Sequence, residues 1–443
     1  VARARGWWKR LLLAFECLFA AACGVMLWWA TGRLSIPDVG EPFNVGAFEA
    51  RRLDPGSNAY TVWQKAFDRF EPQRLPTRPR PGASSPTPKP DEPGVDAWLD
   101  ANREALALFL EGAGRSDALA QGSGEPADFF APRRAGERRG SPQELITLAT
   151  VEGARRMTRG DSEGAWACFR GAFRAVRLLG RHGTLVEREL FGRLRTPLLR
   201  QLGAWADDPR TTPAQLRRAL DDLAAMEAIV PDDGDAVKAF YLETARVLAL
   251  PDNRWTRSEA NYPAGPDEWP TTRLIQERLH PMRRAQAEEP QRSRRALKLL
   301  TAEWLAYFKT PSERRPPPAV RVVYRIHWGT FSVDFFDPGP GAPSAARAAT
   351  PWEVAAAFAR CYDARMPVVM FWTQFRVVRN KERSDHAAAL TALADALYRR
   401  DHGGDPPPSP EALVGPYLKA LPDDGSNDVP AADDTTPEIE GVL

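Results

Sequence analysis

The chain reads as a mainly α protein: an N-terminal transmembrane helix followed by an exported α-helical hairpin bundle. Three observations predict this. Residues 11 to 30 carry a single charge, Glu16. From residue 95 onward, apolar side chains recur at spacings of three and four, the period of a helix with one buried face. Three of these helices open on a hydroxyl residue with Glu or Gln three positions later: Ser141/Glu144, Thr184/Glu187 and Thr212/Gln215. In that pairing each side chain satisfies the other's free main-chain donor.

Residues 1–10 form a short basic tail with Arg3, Arg5, Lys9 and Arg10. Residues 11–31 form the transmembrane helix. Some 20 apolar residues at about 1.5 Å each cover a hydrocarbon core of about 30 Å. The pairs Trp7/Trp8 and Trp28/Trp29 fall roughly 31 Å apart on a helix, one pair at each lipid–water boundary, where indole rings prefer to lie. After the span come Arg33, Asp38 and Glu41. The excess of cations before it places the N-terminus in the cytoplasm and residues from about 33 onward outside it. A cleaved signal peptide fits less well, because Val25–Trp29 continue the apolar run beyond the small residues Ala20 and Ala22. A pilin-type stem fails too, because Leu11 stands where a glutamate is needed. Glu16 lies close enough to the cytoplasmic edge to reach toward Lys9 or Arg10.

Residues 32–94 are a juxtamembrane connector, one helix and a linker. The helix spans Asn58 to Phe70, with Tyr60, Val62, Trp63, Ala66, Phe67 and Phe70 on one stripe. The linker, Pro72 to Pro93, has eight prolines in 22 residues and no means to pack.

Residues 95–310 form the α-helical hairpin domain. Trp98, Leu99, Leu106, Phe109 and Leu110 fit one helix, followed by a Gly/Pro/Arg-rich interruption from Gly112 to Gly140. Trp166, Phe169, Phe173 and Val176 make a seam. Leu190, Leu194, Leu198, Leu202 and Trp205 make a second, with Pro197 expected to kink it, and Leu216, Leu220, Leu223 and Met226 a third. Further helices run over Asp235–Leu250 and Arg294–Phe308, separated by a Trp/Pro/Asn-rich loop.

Residues 311–422 are a C-terminal helical module. Val320 to Trp328 fits a strand or an amphipathic helix equally, since the alternation is brief. Pro351–Tyr362 is a helix. Another carries Leu390, Leu393, Ala394, Leu397 and Tyr398. Residues 423–443 read as an acidic, disordered tail, with seven acids and no cation between 423 and 440.

The stretch Arg159 to Trp166 with Ala172 resembles a tetratricopeptide-like hairpin, without a strict 34-residue period. Tyr398-Arg-Arg-Asp-His-Gly403, Ser409-Pro-Glu-Ala-Leu413 and Tyr417-Leu418…Leu421-Pro422-Asp423 resemble a C-terminal module of pseudopilin-like exported proteins. Gly425-Ser-Asn-Asp replaces that module's usual hairpin. Together with the anchor and Leu178–Arg188, these features resemble a group of uncharacterised single-pass, membrane-anchored bacterial proteins. The resemblance implies architecture and location, and no activity.

The near balance of 60 basic and 58 acidic residues asks for no nucleic acid. Only eight of the 60 are lysine, as GC-rich codon usage produces. No catalytic, cofactor-binding or metal-binding residue is nominated. The five histidines, 182, 280, 327, 386 and 402, lack zinc-site spacing. The nearest constellation is His182 with Glu187 and Arg188, explained by the Thr184 cap and the end of the preceding helix. Asp232, Asp233 and Asp235 lack the spacing of a calcium loop and suit helix capping. Cys17 and Cys23 lie in the span; Cys168 and Cys361 could pair, or serve as small buried apolar residues. The expected partners are the lipid bilayer through residues 11–31 and a protein held by a scaffolding helical domain. The alternatives are an accessory part of a secretion or pilin-like assembly, or an exported hydrolase without a recognisable motif.

Overall fold

The computed structural model describes residues 15, 18–19, 36, 38–72, 92–120, 140–249, 289–311, 314–326, 329–337, 350–422 and 438–442. Among them are twelve α-helices and a small sheet. The transmembrane segment 11–31 lies outside the described residues, apart from Phe15, Leu18 and Phe19, which are helical and 64–70 % exposed. No helix among the described residues is long and apolar enough to cross a membrane. The linker of prolines, the Trp/Pro/Asn-rich loop, His280 and His327 also lie outside them.

The connector is a packed element. Ile36 is buried, and α1 (Val45–Ala50) is capped by Asn44. Glu41 accepts from Tyr241 Oη at 2.6 Å and meets Lys298 Nζ at 2.9 Å, so the chain is fastened to the fold from residue 36 onward.

α2 (Ala59–Arg69) packs on α4 (Arg103–Ala113) as an antiparallel-type hairpin. The single helix expected through Trp98 and Leu110 is two, α3 (Val95–Ala101) and α4. The break is at Asn102, whose buried amide accepts from Glu71 N at 2.8 Å and donates to Glu71 O at 3.0 Å. Satisfying that loop takes the side chain that sits at the junction.

α5 (Pro142–Thr158) and α6 (Ser162–Arg181) form the next hairpin, followed by α7 (Leu185–Asp207) and α8 (Pro213–Ala225). Full capping boxes are present at Thr184 and Thr212. At Ser141 the hydroxyl caps Glu144 N but donates to that residue's carboxylate, at 2.7 Å. Helices approach closely where glycine allows it. A Cβ at Gly153 would stand 2.4 Å from the Phe169 ring, and one at Gly171 2.4 Å from Leu110. Helix α7 runs on through Pro197 unbroken.

After α9 (Asp233–Leu248) and α10 (Glu289–Lys309), β1 (Val320–Ile326) and β2 (Gly329–Phe335) pair antiparallel, with Val322 opposite Val333, both buried. The open choice at Val320 thus resolves as a strand. α11 (Pro351–Arg360) follows, started by a further capping box at Thr350/Glu353. Then α12 (Tyr362–Asp401) runs for 40 residues. A 3-10 turn, Pro410–Leu413, buries Leu413, with Leu418 close behind.

The disordered tail is corrected at its end. β3 (Glu438–Val442) lies parallel to β1, giving the order β2-β1-β3. Its register sets Ile439 beside core-facing Val322, and the acids Glu438 and Glu440 beside Arg321 and Val323. An alternation of acid and apolar residue is enough to cap the open edge of β1, whose main-chain groups would otherwise face solvent unpaired.

Two hydrophobic cores result. The first joins α2 to α8 with the C-terminal half of α12 (Ala389 to Leu397), Leu413 and Leu418. The second joins Ile36, α9, α10, the sheet, α11 and the N-terminal half of α12 (Val368 to Val378). Both cores cross the division between residues 310 and 311. Helices α7 and α8 hardly touch each other; α12 packs against both.

Candidate functional site

The seam between the two cores gathers a set of buried charged side chains. Its central strut is α12. The buried face of that helix reads Val368, Phe371, Phe375, Val378, Glu382, Ala389, Leu393 and Leu397, with His386 in step between Glu382 and Ala389. These positions keep the period of about 3.6 residues. Two of them are polar, and they mark the seam.

Helix α7 supplies the partners. Its buried stripe is Arg188, Phe191, Arg195, Leu198, Leu202 and Trp205. Leu190 and Leu194, expected on the seam, are only half-buried. Both Glu382 oxygens are taken: Arg188 Nη2 donates at 2.8 Å to one and Arg195 Nη2 at 3.0 Å to the other. Burial opposes the Glu382 charge, yet the two guanidiniums hold its pKa below the ordinary carboxylate range. Arg188 Nη1 also donates to Asp233 at 3.1 Å, and Arg379 approaches the other Asp233 oxygen at 3.6 Å. Asp233 opens α9, so this group links three helices.

A second cluster lies on the same turn of α9. His182, at the end of α6, places Nδ1 2.8 Å from Asp235 and Nε2 3.0 Å from Asp117. A carboxylate on each side favours the imidazolium form, in which both ring nitrogens donate. Burial works against that charge, but Asp235 and Asp117 outweigh it and raise the pKa of His182. Asp235 also pairs with Arg51 and with Lys238, the latter at 3.0 Å. Burial would raise its pKa; His182, Arg51 and Lys238 hold it far below the usual range.

The constellation of His182, Glu187 and Arg188 is therefore split. Glu187 completes the Thr184 cap, at 2.6 Å from Thr184 N, while His182 and Arg188 belong to different charge clusters. Asp232 accepts from Asp235 N at 3.0 Å as a helix cap. Asp233 and Asp235 face cations of the chain. Among the described residues no group of three or more His, Cys, Asp or Glu could hold a metal ion. Cys168 and Cys361 are both buried and are not joined in a disulfide. Burial pushes the Cys168 thiol up to about 12. His402 stacks on Tyr398 at the end of α12, with ring centroids 3.8 Å apart.

Two further features fall outside these clusters. Glu303 on α10 is fully buried, and neither carboxylate oxygen has a hydrogen-bond partner. Its chain neighbour Trp304 stacks on Phe371 and Trp372. Burial raises its pKa well above the usual value, helped by Asp337. An open cavity of about 330 Å³ lies where α7 meets the end of α12, lined by Asp207, Arg399, Arg400 and Gly403 among others. Arg399 and Arg400 are already engaged there, by Asp207 and by the Asp208 carbonyl.

Compared with family models, curated proteins and solved structures, the chain matches none.

Proposed function

We propose that this protein is a single-pass anchored scaffold of the bacterial inner membrane, whose exported helical stack holds a protein partner close to the bilayer. The observation that carries the reading is the fastening of the connector. Ile36 is buried in the second core, five residues beyond residue 31, where the apolar segment ends. Its carbonyl accepts from Arg295 Nη1 at 3.4 Å. A span ending there leaves almost no leash, so the fold would sit against the lipid headgroups. The exposed Phe15, Leu18 and Phe19 suit a lipid surrounding.

The helical hairpins support the scaffolding part. Successive pairs α2/α4 and α5/α6, continued by α7, stack in a way that helical-repeat proteins use to present binding surfaces, and the tetratricopeptide-like reading of Arg159–Ala172 belongs here. The strongest chemistry-bearing groups, His182 and Glu382, are spent on internal partners. The pilin-like alternative would have the C-terminal module dock laterally. Burial of Leu413 and Leu418 in the first core turns that module inward.

Two measurements test the proposal. A reporter fused after residue 60 should be active outside the cytoplasm; activity only in the cytoplasm would overturn the orientation. Photo-crosslinking from exposed positions of α6 and α8, such as Arg170 and Arg217, in intact cells should trap one protein reproducibly. A smear of abundant envelope proteins, unchanged when the crosslinker is moved to a distant face, would overturn the scaffold.

A further inference from the structure

Around Glu382 the seam sets three guanidiniums against one fully enclosed carboxylate. Arg177, Arg188 and Arg195 have one shared carboxylate within reach, Glu382, and both its oxygens are already used by Arg188 and Arg195. Asp233 is taken up by Arg188 and approached by Arg379. Asp385, next along α12, is tied to Lys381 at 3.0 Å. Among the described contacts, Arg177 meets no carboxylate; its Nη1 reaches only the Ile229 carbonyl, at 3.5 Å.

Two side-chain nitrogens in the same place make no hydrogen bond. Arg195 Nη1 is buried without a partner, on a side chain only 9 % exposed. His386 Nε2 is buried as well and lies 3.4 Å from Glu227 Oε1, without hydrogen-bond alignment. Leaving a buried donor unsatisfied costs about 1–3 kcal/mol, and more when it is charged. Folds retain such groups when something outside the chain completes them.

The elements bring these donors together. On α12, His386 follows Glu382 by one turn. On α6, Arg177 precedes Gly180 by three residues, and a Cβ at Gly180 would stand 3.8 Å from Glu382 Oε1. Ile229, which Arg177 touches, is two residues from Glu227, which faces His386. Four segments (α6, α7, the turn after α8, and α12) therefore surround one place. Its outer side is Glu227, 59 % exposed, and Val230, 63 % exposed.

We propose that this place is a binding site for a small tetrahedral oxyanion, of the phosphate or sulfate class, held by Arg177, Arg195 and His386. Arginine presents its donors in a planar fork suited to such oxygens. His386 adds an N–H in the tautomer that carries its proton on Nε2. Enclosure by buried side chains selects a bare oxyanion over a nucleotide or a lipid headgroup. The chemical environment agrees: burial, then Arg177 and Arg195, push His386 down to about 3, and burial with Arg195 pushes Arg177 down to about 10. Burial is the larger cause in both, and the neighbouring guanidiniums add to it; for Arg177, Glu382 and Glu227 offset part of the shift. The bound anion would add to the ties that fix α6, α7 and α12 to one another, so the site would make the stability of the seam depend on anion concentration.

The test uses the full chain in a maltoside detergent, which has no phosphate of its own. Sodium phosphate, sodium sulfate and sodium chloride are titrated at matched ionic strength, followed by thermal unfolding and by calorimetry. Saturable binding of phosphate or sulfate is expected, raising the unfolding midpoint by about 2–4 °C at tenfold over Kd. Arg177→Gln should weaken that binding at least tenfold, since it removes a donor without stranding a carboxylate. Arg217→Gln, on the exposed face of α8, should bind as the parent does. Superposable curves in the three salts would overturn the proposal, as would an Arg177→Gln variant that binds phosphate with undiminished affinity. Phospholipid vesicles added in place of phosphate should give no stabilisation; stabilisation by vesicles alone would overturn the choice of a free oxyanion.

Discussion

Arg188 and Glu382 stand 194 residues apart in the chain and meet at 2.8 Å, with side chains 1 % and 9 % exposed. Removing either partner leaves the other with one counter-charge fewer, Glu382 with Arg195 alone or Arg188 with Asp233 alone, a loss approaching that of an uncompensated buried charge, about 3–5 kcal/mol. Glu382→Gln and Arg188→Met should each lower the free energy of unfolding by that order in urea titrations. A loss below about 1 kcal/mol in both would show that the pair is solvated and that the seam is not dry.

His182 makes stability depend on pH on the alkaline side. Its folded pKa lies above the ordinary 6.5, so its contribution is fully present below that value and is lost as pH rises through the folded pKa. The urea midpoint of the parent should fall between pH 6 and 9 relative to His182→Gln. A difference that stays constant over this range would mean that the ring is not an imidazolium between Asp117 and Asp235. Asp235, held low, contributes its own slope only in acid, as pH falls below about 3.8.

Glu303 works in the opposite sense. A carboxyl whose folded pKa is raised binds its proton more tightly in the folded state, so stability falls as pH climbs from 4.5 toward the folded value. Glu303→Gln should abolish that slope. Glu303→Leu should stabilise the fold at pH 8 by about 1–3 kcal/mol, the scale of an unsatisfied buried polar group. Destabilisation by both variants would reveal a partner for the carboxylate.

Truncation before Glu438 should leave the helices intact and open the β1 edge. Hydrogen exchange would then speed up at amides within Arg321–Arg325 while remaining slow in α5 and α6. Unchanged protection of β1 would mean that β3 contributes nothing to the sheet in solution.

Much of the helical architecture was legible because its signals are local. Thr184/Glu187 and Thr212/Gln215 announce helix starts within four residues, and α7 and α8 begin there. The Trp166–Val176 stripe marks the buried face of α6. The seam carries no apolar signal, because its inward positions are charged. Arg188 and Arg195 occupy buried positions of α7, and Glu382 and His386 fall on the register of the α12 stripe. Polar residues in step with an apolar face were the available signal. Asp117 and Arg51 carry no such mark; only tertiary structure brings them to His182 and Asp235. The strand Glu438–Val442 was masked by its acids, because net charge says nothing of an alternation five residues long.

Helix α12 also imposes an order on synthesis. At about 1.5 Å per residue its 40 residues extend roughly 60 Å, and its second half completes a core whose other members begin at Ala59. The hairpins made first must therefore wait, with their apolar faces incompletely covered, until the ribosome has added Ala389 to Leu418. A nascent chain stopped short of that point has every cap and nearly every helix it needs, and no lid for its first core. Such chains are the ones chaperones and proteases should find.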